Sequence, residues 1–250
     1  MTANADPHPA GGATPALSLL IVNYNSWRVC VDAVESFLAH APTTADGAPL
    51  PAEIVVVDNA SPVRDAAAEA ELERLLARGH GRLIRHDENG GYAKGMNLAL
   101  EHARGDWILV SNPDVLFLPG TVDGLLRLME RDPTVGTAAP EGYLDHGLQC
   151  RLPPNILPTL ADLWGTTMVP LRRASMARYS RRRTAEALRV WEAEGTVDLA
   201  MLSGCLFLMR RSDIERIGFF DPRFPLYYED TDLSVRIRRA GLRIVQATGT

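Results

Sequence analysis

Three acids crowd into four residues at Glu229-Asp230-Thr231-Asp232, directly behind Tyr227 and Tyr228. Capping and the positive end of a helix dipole account for one or two of them. The aromatic flank and the proline-bearing approach from Phe219 to Pro225 are not explained that way. A carboxylate in such surroundings gains basicity and can take a proton from a hydroxyl. A second candidate is Asn112-Pro113-Asp114. One carboxylate there can hold Mg²⁺ or Mn²⁺ against a diphosphate, with water and phosphate oxygens completing the coordination; a plain Asn-Pro-Asp turn is the alternative. The third is the loop Asn89-Gly90-Gly91-Tyr92-Ala93-Lys94-Gly95-Met96-Asn97, where glycines admit a close ligand and a helix N-terminus favours an anion. Met96 and Asn97 after Gly95 exclude a P-loop, and the run does not match the dinucleotide fingerprint. Lys94 is the only lysine among 26 basic side chains, which tilts the loop from a simple glycine turn towards a phosphate contact.

The elements around these residues alternate. Ser18–Val22, Ile54–Val57 and Trp107–Val110 read as buried strands, with Arg82–Ile84 a weaker one. Helical stripes fall between them: Val31, Val34 and Leu38; a helix from an N-cap at Ser61 with Pro62 in its first position to Arg78; Met96, Ala99, Leu100 and Ala103; Val122, Leu125, Leu126 and Met129. Continuous apolar strands between helices imply a mostly parallel central sheet, flanked by helices, in an α/β fold. Ligands bind beyond the C-terminal ends of such strands. Asn23-Tyr24-Asn25, Asp58-Asn59-Ala60-Ser61 and Ser111-Asn112-Pro113-Asp114 follow three of them and should converge on one rim. Further on, Met201–Arg210 reads as an apolar strand, Ser212–Glu215 as a capping box, Leu233, Ile237 and Ala240 as the buried face of a helix starting near Asp230, and Arg243–Val245 as a last strand.

Other function classes are excluded by bulk properties. A net charge of −5 gives no electrostatic reason to bind nucleic acid. No apolar run approaches the roughly 20 residues that cross a bilayer, and the start of the chain lacks a secretory signal pattern. Cys30, Cys150 and Cys205 are few, odd in number and widely spaced, which argues against disulfides or a zinc cluster and for the cytoplasm. One segment stands apart. Arg172, Arg173, Arg178, Arg181, Arg182, Arg183 and Arg189 face a single acid, Glu186, a balance of +6 over residues 172–189. It is either a surface for anionic lipid or acceptor phosphates, giving peripheral membrane association at the inner face, or a solvated helix of biased composition.

Together these stretches resemble the family 2 glycosyltransferases, and most closely their rhamnosyltransferase-like branch. The matching runs are Val22–Asn25, Val57–Ser61, the loop Asn89–Asn97, Asn112–Val115, Leu202–Cys205, and Gly218–Asp221 through Tyr228–Leu233. The resemblance implies a GT-A fold, a Rossmann-like nucleotide-binding half beside an acceptor-binding half. The division expected is a disordered tail at 1–16, a nucleotide-sugar-binding half at 17–140, an insertion or connection at 141–200, and an acceptor-side half at 201–250. By resemblance Asp58 meets the base or ribose, Asn23 and Asn25 line the same pocket, and Gly91, Lys94 and Asn97 serve the donor. Asp114 matches the last acid of the metal-binding DxD motif. Asn112 stands where many relatives have an acid and offers the donor an amide contact. Asp230 matches the general base, with Glu229 and Asp232 shaping the acceptor site. Relatives continue past the position of Thr250, with a histidine that can complete the metal site.

The implied reaction is inverting transfer of a sugar, rhamnose from a dTDP donor by branch, to a glycan or lipid-linked acceptor in cell-surface glycan synthesis. Two rivals stay open. A nucleotidyltransferase would need a basic loop after the first strand, where Asn23-Tyr24-Asn25-Ser26 is neutral. A nucleotide-sugar-binding domain without catalysis would keep the donor rim alone.

Overall fold

The computed structural model describes residues 14–44, 46–157, 159–167, 172–224 and 226–248. The expected tail falls mostly on residues 1–13, outside them; Ala16 is already tied down, its N–H donating to Pro51 O at 2.8 Å.

The chain opens with β1 (Leu17–Asn23), α1 (Trp27–Ala39), β2 (Ala52–Asp58), α2 (Ala66–Arg78), β3 (Arg82–Arg85), α3 (Tyr92–His102), β4 (Trp107–Ser111) and α4 (Thr121–Arg131). Then come β5 (Val135–Pro140), α5 (Leu160–Thr167), α6 (Arg172–Trp191), β6 (Thr196–Asp198), β7 (Leu206–Arg210), α7 (Arg211–Ile217), α8 (Glu229–Arg239) and β8 (Arg243–Ala247). All eight strands form one sheet in the order β3-β2-β1-β4-β7-β5-β8-β6. The pairs β1–β2, β1–β4, β2–β3 and β5–β8 are parallel. β7 runs antiparallel to both β4 and β5, and β6 antiparallel to β8.

Alternation along the strands builds two cores. Leu17, Leu19 and Ile21 of β1 join α1, α2 and α4 on one face; Leu20 and Val22 join Met96 of α3, Ile214 of α7 and Leu233 and Ile237 of α8 on the other. Burial on both faces is why β1, β2 and β4 read as unbroken apolar runs.

Four expectations are corrected. The strand read as Met201–Arg210 covers only Leu206–Arg210, and it is antiparallel. Its interior position, not its direction, makes it continuously apolar. α2 begins at Ala66, not beside Ser61. Asp65 is its N-cap, accepting from Ala68 N–H at 3.0 Å, because the Ser61 hydroxyl is engaged with Asp58. The Ser212–Glu215 capping box does not form: β7 runs straight into α7, which starts at Arg211 without a side-chain cap. β5, Val-Gly-Thr-Ala-Ala-Pro, was not foreseen, and β6 lies inside the span expected to be a connection.

Candidate active site

Parallel pairing puts the polar ends of three strands on one edge. Asn23 stands opposite Asp58 across β1–β2, and Ile21 opposite Ser111 across β1–β4, so residues 112–114 leave the sheet beside both. The rim is therefore assembled as expected from Asn23, Asp58 and the turn holding Asn112 and Asp114.

Asp58 is 7% exposed and well supplied with donors. Asn23 Nδ2 donates to its Oδ1 at 2.9 Å, the Ser61 hydroxyl at 2.5 Å, and Ser61 N–H reaches Oδ2 at 3.4 Å. Ser61 Oγ in turn accepts the Asn25 N–H at 2.8 Å. Asn25, at φ 55°, returns its side-chain oxygen to Val63 N–H at 3.1 Å. The carboxylate is thus fixed in place by these donors, and Ser61 is a member of this network that sequence reasoning took for a helix cap. Cys30 lies beneath this network; burial first, and the Asp58 charge second, push its thiol up to about 12, so it is no nucleophile.

The glycine loop is tied to the same strand end. Asn59 Nδ2 donates to Asn89 Oδ1 at 2.9 Å and to Gly91 O at 3.2 Å, and Asn59 Oδ1 accepts Gly90 N–H at 3.2 Å. Gly91 sits at φ 83°, ψ 171°, a conformation open only to glycine, and opens α3. Gly95 lets that helix lie close on β1, since a Cβ there would stand 3.0 Å from Val22 Cγ1. Lys94 is exposed, with no ion pair to a described residue. Asn97 points the other way, its amide donating to Phe220 O at 2.8 Å. It ties α3 to the approach to α8.

The distant motifs meet at one turn, Gly204-Cys205. Asn112 N–H donates to Cys205 O at 2.8 Å. The Tyr92 hydroxyl, from the first residue of α3, donates to Gly204 O at 3.3 Å. The Gly204 N–H bonds Asp230, and a Cβ on Gly204 would lie 3.7 Å from Asp230 Oδ2. The glycine loop, the Asn112–Asp114 turn and Asp230 are therefore neighbours of a single backbone turn, though 92, 112 and 230 are far apart in the chain.

Asp230 is half-buried in the first turn of α8. Burial raises its pKa, against hydrogen bonds from the N–H of Thr231 at 2.7 Å and of Gly204. Glu229 is 9% exposed and its Oε2 is buried without a hydrogen-bond partner among the described residues. Burial, with the Asp230 charge adding to it, raises its pKa too. Tyr92 faces these charges: burial chiefly, then Glu229, Cys205 and Asp230, hold its phenol well above the usual range, so it stays a donor. Asp232 is committed elsewhere. It pairs with Arg236 at 2.7 Å, and Arg236 also donates to the carbonyls of Ile217, Gly218 and Phe219.

Asp114 is exposed and makes no hydrogen bond or ion pair with a described residue. Among the described residues no group of three or more His, Cys, Asp or Glu could enclose a metal by itself. One free carboxylate beside a neutral amide fits a hard cation shared with a diphosphate, which supplies the remaining oxygens.

A family model described as glycosyl transferase family 2 matches residues 18–218. The chain is 27% identical over 220 residues to the N-acetylglucosaminyl-diphospho-decaprenol L-rhamnosyltransferase of Mycobacterium tuberculosis, across 83% of this chain and 67% of that protein. Among solved structures it is similar to a mannosyltransferase from Pyrobaculum calidifontis in complex with GDP-Man and Mn²⁺, with a TM-score of 0.60, 19% identity and coverage of 95% of this chain and 56% of that one. GalNAc-T7 with UDP, GalNAc and Mn²⁺ gives a TM-score of 0.63 at 15% identity, over 93% of this chain and 41% of that one. The chain thus spans about half the length of these solved chains, and at such identities the likeness is one of fold, the α/β GT-A architecture.

Proposed function

The chain belongs to glycosyl transferase family 2 and is a glycosyltransferase, and we propose that it moves a sugar from a nucleoside-diphosphate donor to an acceptor hydroxyl with inversion at the anomeric carbon. The observation that carries this reading is the Gly204-Cys205 turn, against which the glycine loop, the Asn112–Asp114 turn and Asp230 all pack.

Asp58, held in place by Asn23 and Ser61, accepts hydrogen bonds from the base or ribose, and Asn25 keeps that strand end in place. Gly91 and Lys94 offer an open backbone and a cation to the diphosphate, and Asn112 an amide. Asp230 takes the proton as the acceptor oxygen attacks the anomeric carbon from the face opposite the leaving group; the bond to the nucleoside diphosphate breaks and its electron pair departs on a phosphate oxygen. A raised pKa suits Asp230 to that task. Glu229, close by and short of hydrogen bonds, is placed to receive an acceptor hydroxyl. Asp232 positions the 217–219 segment through Arg236. Asp114 would hold Mg²⁺ or Mn²⁺, which when bound neutralises charge on the departing diphosphate.

The Mycobacterium tuberculosis relative, named for L-rhamnose transfer to N-acetylglucosaminyl-diphospho-decaprenol, supports rhamnose as the sugar and a lipid-linked glycan as the acceptor; on that reading the chain works in cell-surface glycan synthesis at the cytoplasmic face. The test is a thermal-shift screen of nucleotide sugars with and without Mn²⁺, followed by nucleoside diphosphate release with a short-chain N-acetylglucosaminyl-diphosphoprenol. A donor-specific rise in melting temperature is expected, with acceptor-dependent release of nucleoside diphosphate. Donor binding without release would leave a binding domain and overturn the catalytic reading.

A further inference from the structure

The α5–α6 hairpin is unlike the rest of the molecule. α1 and α4 each bury an apolar stripe of four or more residues. α6 runs for 20 residues and buries only Ser175, Ala187 and Val190 among those described. α5 packs against it and leaves Leu160 85% and Trp164 68% exposed. These two are four residues apart and so share one helix face. Large apolar side chains left in water at one site mark an interaction surface.

The charge on α6 says what kind. Arg172, Arg173, Arg181 and Arg183 are exposed and make no hydrogen bond or ion pair with a described residue. At 3.6 residues per turn, Arg172, Arg173, Met176 and Arg183 fall within an arc of about 100°. Met176 there is 53% exposed. The only acid in α6, Glu186, is already bound by Arg189 at 2.6 Å. The hairpin of two packed helices therefore presents unneutralised guanidinium groups on α6 and an exposed leucine and tryptophan on α5, the combination that enters the headgroup layer of an anionic bilayer. Its far end is anchored: Val190 belongs to the core cluster that contains Leu202 and Leu233, the cluster beneath the first turn of α8. No helix among the described residues is long and apolar enough to cross a membrane.

We propose that the α5–α6 hairpin docks the protein on an anionic phospholipid surface, Leu160 and Trp164 entering the interface and Arg172, Arg173 and Arg183 meeting lipid phosphates. This stands apart from the catalytic reading, because none of these residues lies at the rim.

The probe is vesicles of equal parts phosphatidylglycerol and phosphatidylcholine, against phosphatidylcholine alone, read by co-sedimentation. The protein should bind the mixed vesicles and leave them as salt is added. Each Arg→Gln change at 172, 173 or 183 should lower partitioning about fivefold at low salt, and the triple variant about a hundredfold. Trp164→Ala should weaken binding at every salt concentration. Brominated lipid should quench tryptophan fluorescence in the native protein and not in Trp164→Phe. Melting temperatures of all variants should match the native protein, since the substituted side chains are exposed. No binding to the mixed vesicles, equal binding to phosphatidylcholine alone, or native-like binding by the variants would overturn the proposal. So would a dimer in solution that Trp164→Ala dissociates, because the face would then belong to a second copy.

Discussion

Asp58 and Glu229 are both more than nine-tenths buried, one at the end of a strand and the other at the start of a helix. Asp58 is met by the Asn23 amide, the Ser61 hydroxyl and the Ser61 N–H. Glu229 keeps one oxygen without any hydrogen-bond partner among the described residues, beside the half-buried Asp230, and both acids have raised pKa values. A carboxylate with its donors in place is a fixed recognition group. A pair that lost water, one member with an oxygen left unmet, is held in a costly state, which favours taking a proton. On the proposed function, the difference separates the work of the two ends of the rim: the strand side would grip the donor, and the helix side would handle the acceptor's proton.

The largest effect should come from the helix side. Asp230→Asn should lower single-turnover transfer by about 10²–10⁴-fold, with donor affinity by calorimetry unchanged. In the native enzyme the acid limb of the rate should fall at higher pH than an ordinary aspartate would give, because burial raises this pKa. Near-normal transfer by the variant would merge the two ends again.

A smaller effect is expected on the strand side. Ser61→Ala removes a donor to Asp58 and leaves Asn25 N–H without its acceptor. Stability should drop by about 1–2 kcal/mol in urea unfolding, and donor KM should rise while kcat holds. A change in kcat alone would show that Asp58 is not confined to recognition.

The smallest contrast is in stability. The raised pKa of Glu229 means its protonated form fits the fold better than its charged form. The stability it contributes is complete at low pH and is lost as pH rises through its folded-state value. Glu229→Gln cannot ionise, so its melting temperature should exceed that of the native protein at neutral pH and converge with it in acid. A variant less stable than native at neutral pH would mean that the carboxylate has partners in solution.

What was legible in the sequence follows from where the information lies. β1, β2 and β4 announce themselves through continuous Leu, Ile and Val, because both faces are covered, and the polar residues after them could be placed on one rim from parallel pairing alone. β5 stayed hidden because Gly136, Ala138 and Ala139 carry little strand preference; neighbouring β7 and β8 hold it in the sheet. The direction of β7 was illegible because a strand buried on two faces looks the same either way. Ser61 was misread because its spacing to Pro62 fits a helix start, while its actual partners lie across the sheet on β1 and β2. Gly204-Cys205 could be matched as a motif, but its role as the meeting point of Tyr92, Asn112 and Asp230 is a long-range fact with no local pattern.

The claim on which all of this rests is that Asp58, Asp114 and Asp230 serve one bound donor. It is tested most directly by a crystal grown with Mn²⁺ and the nucleoside diphosphate giving the largest thermal shift, the metal being located by its anomalous scattering. The prediction is a peak about 2.0–2.2 Å from an Asp114 carboxylate oxygen, the base or ribose against Asp58, and Asp230 facing the side where the sugar would sit. A metal bound away from Asp114, or a nucleotide seated where Asp230 cannot face it, would contradict the account.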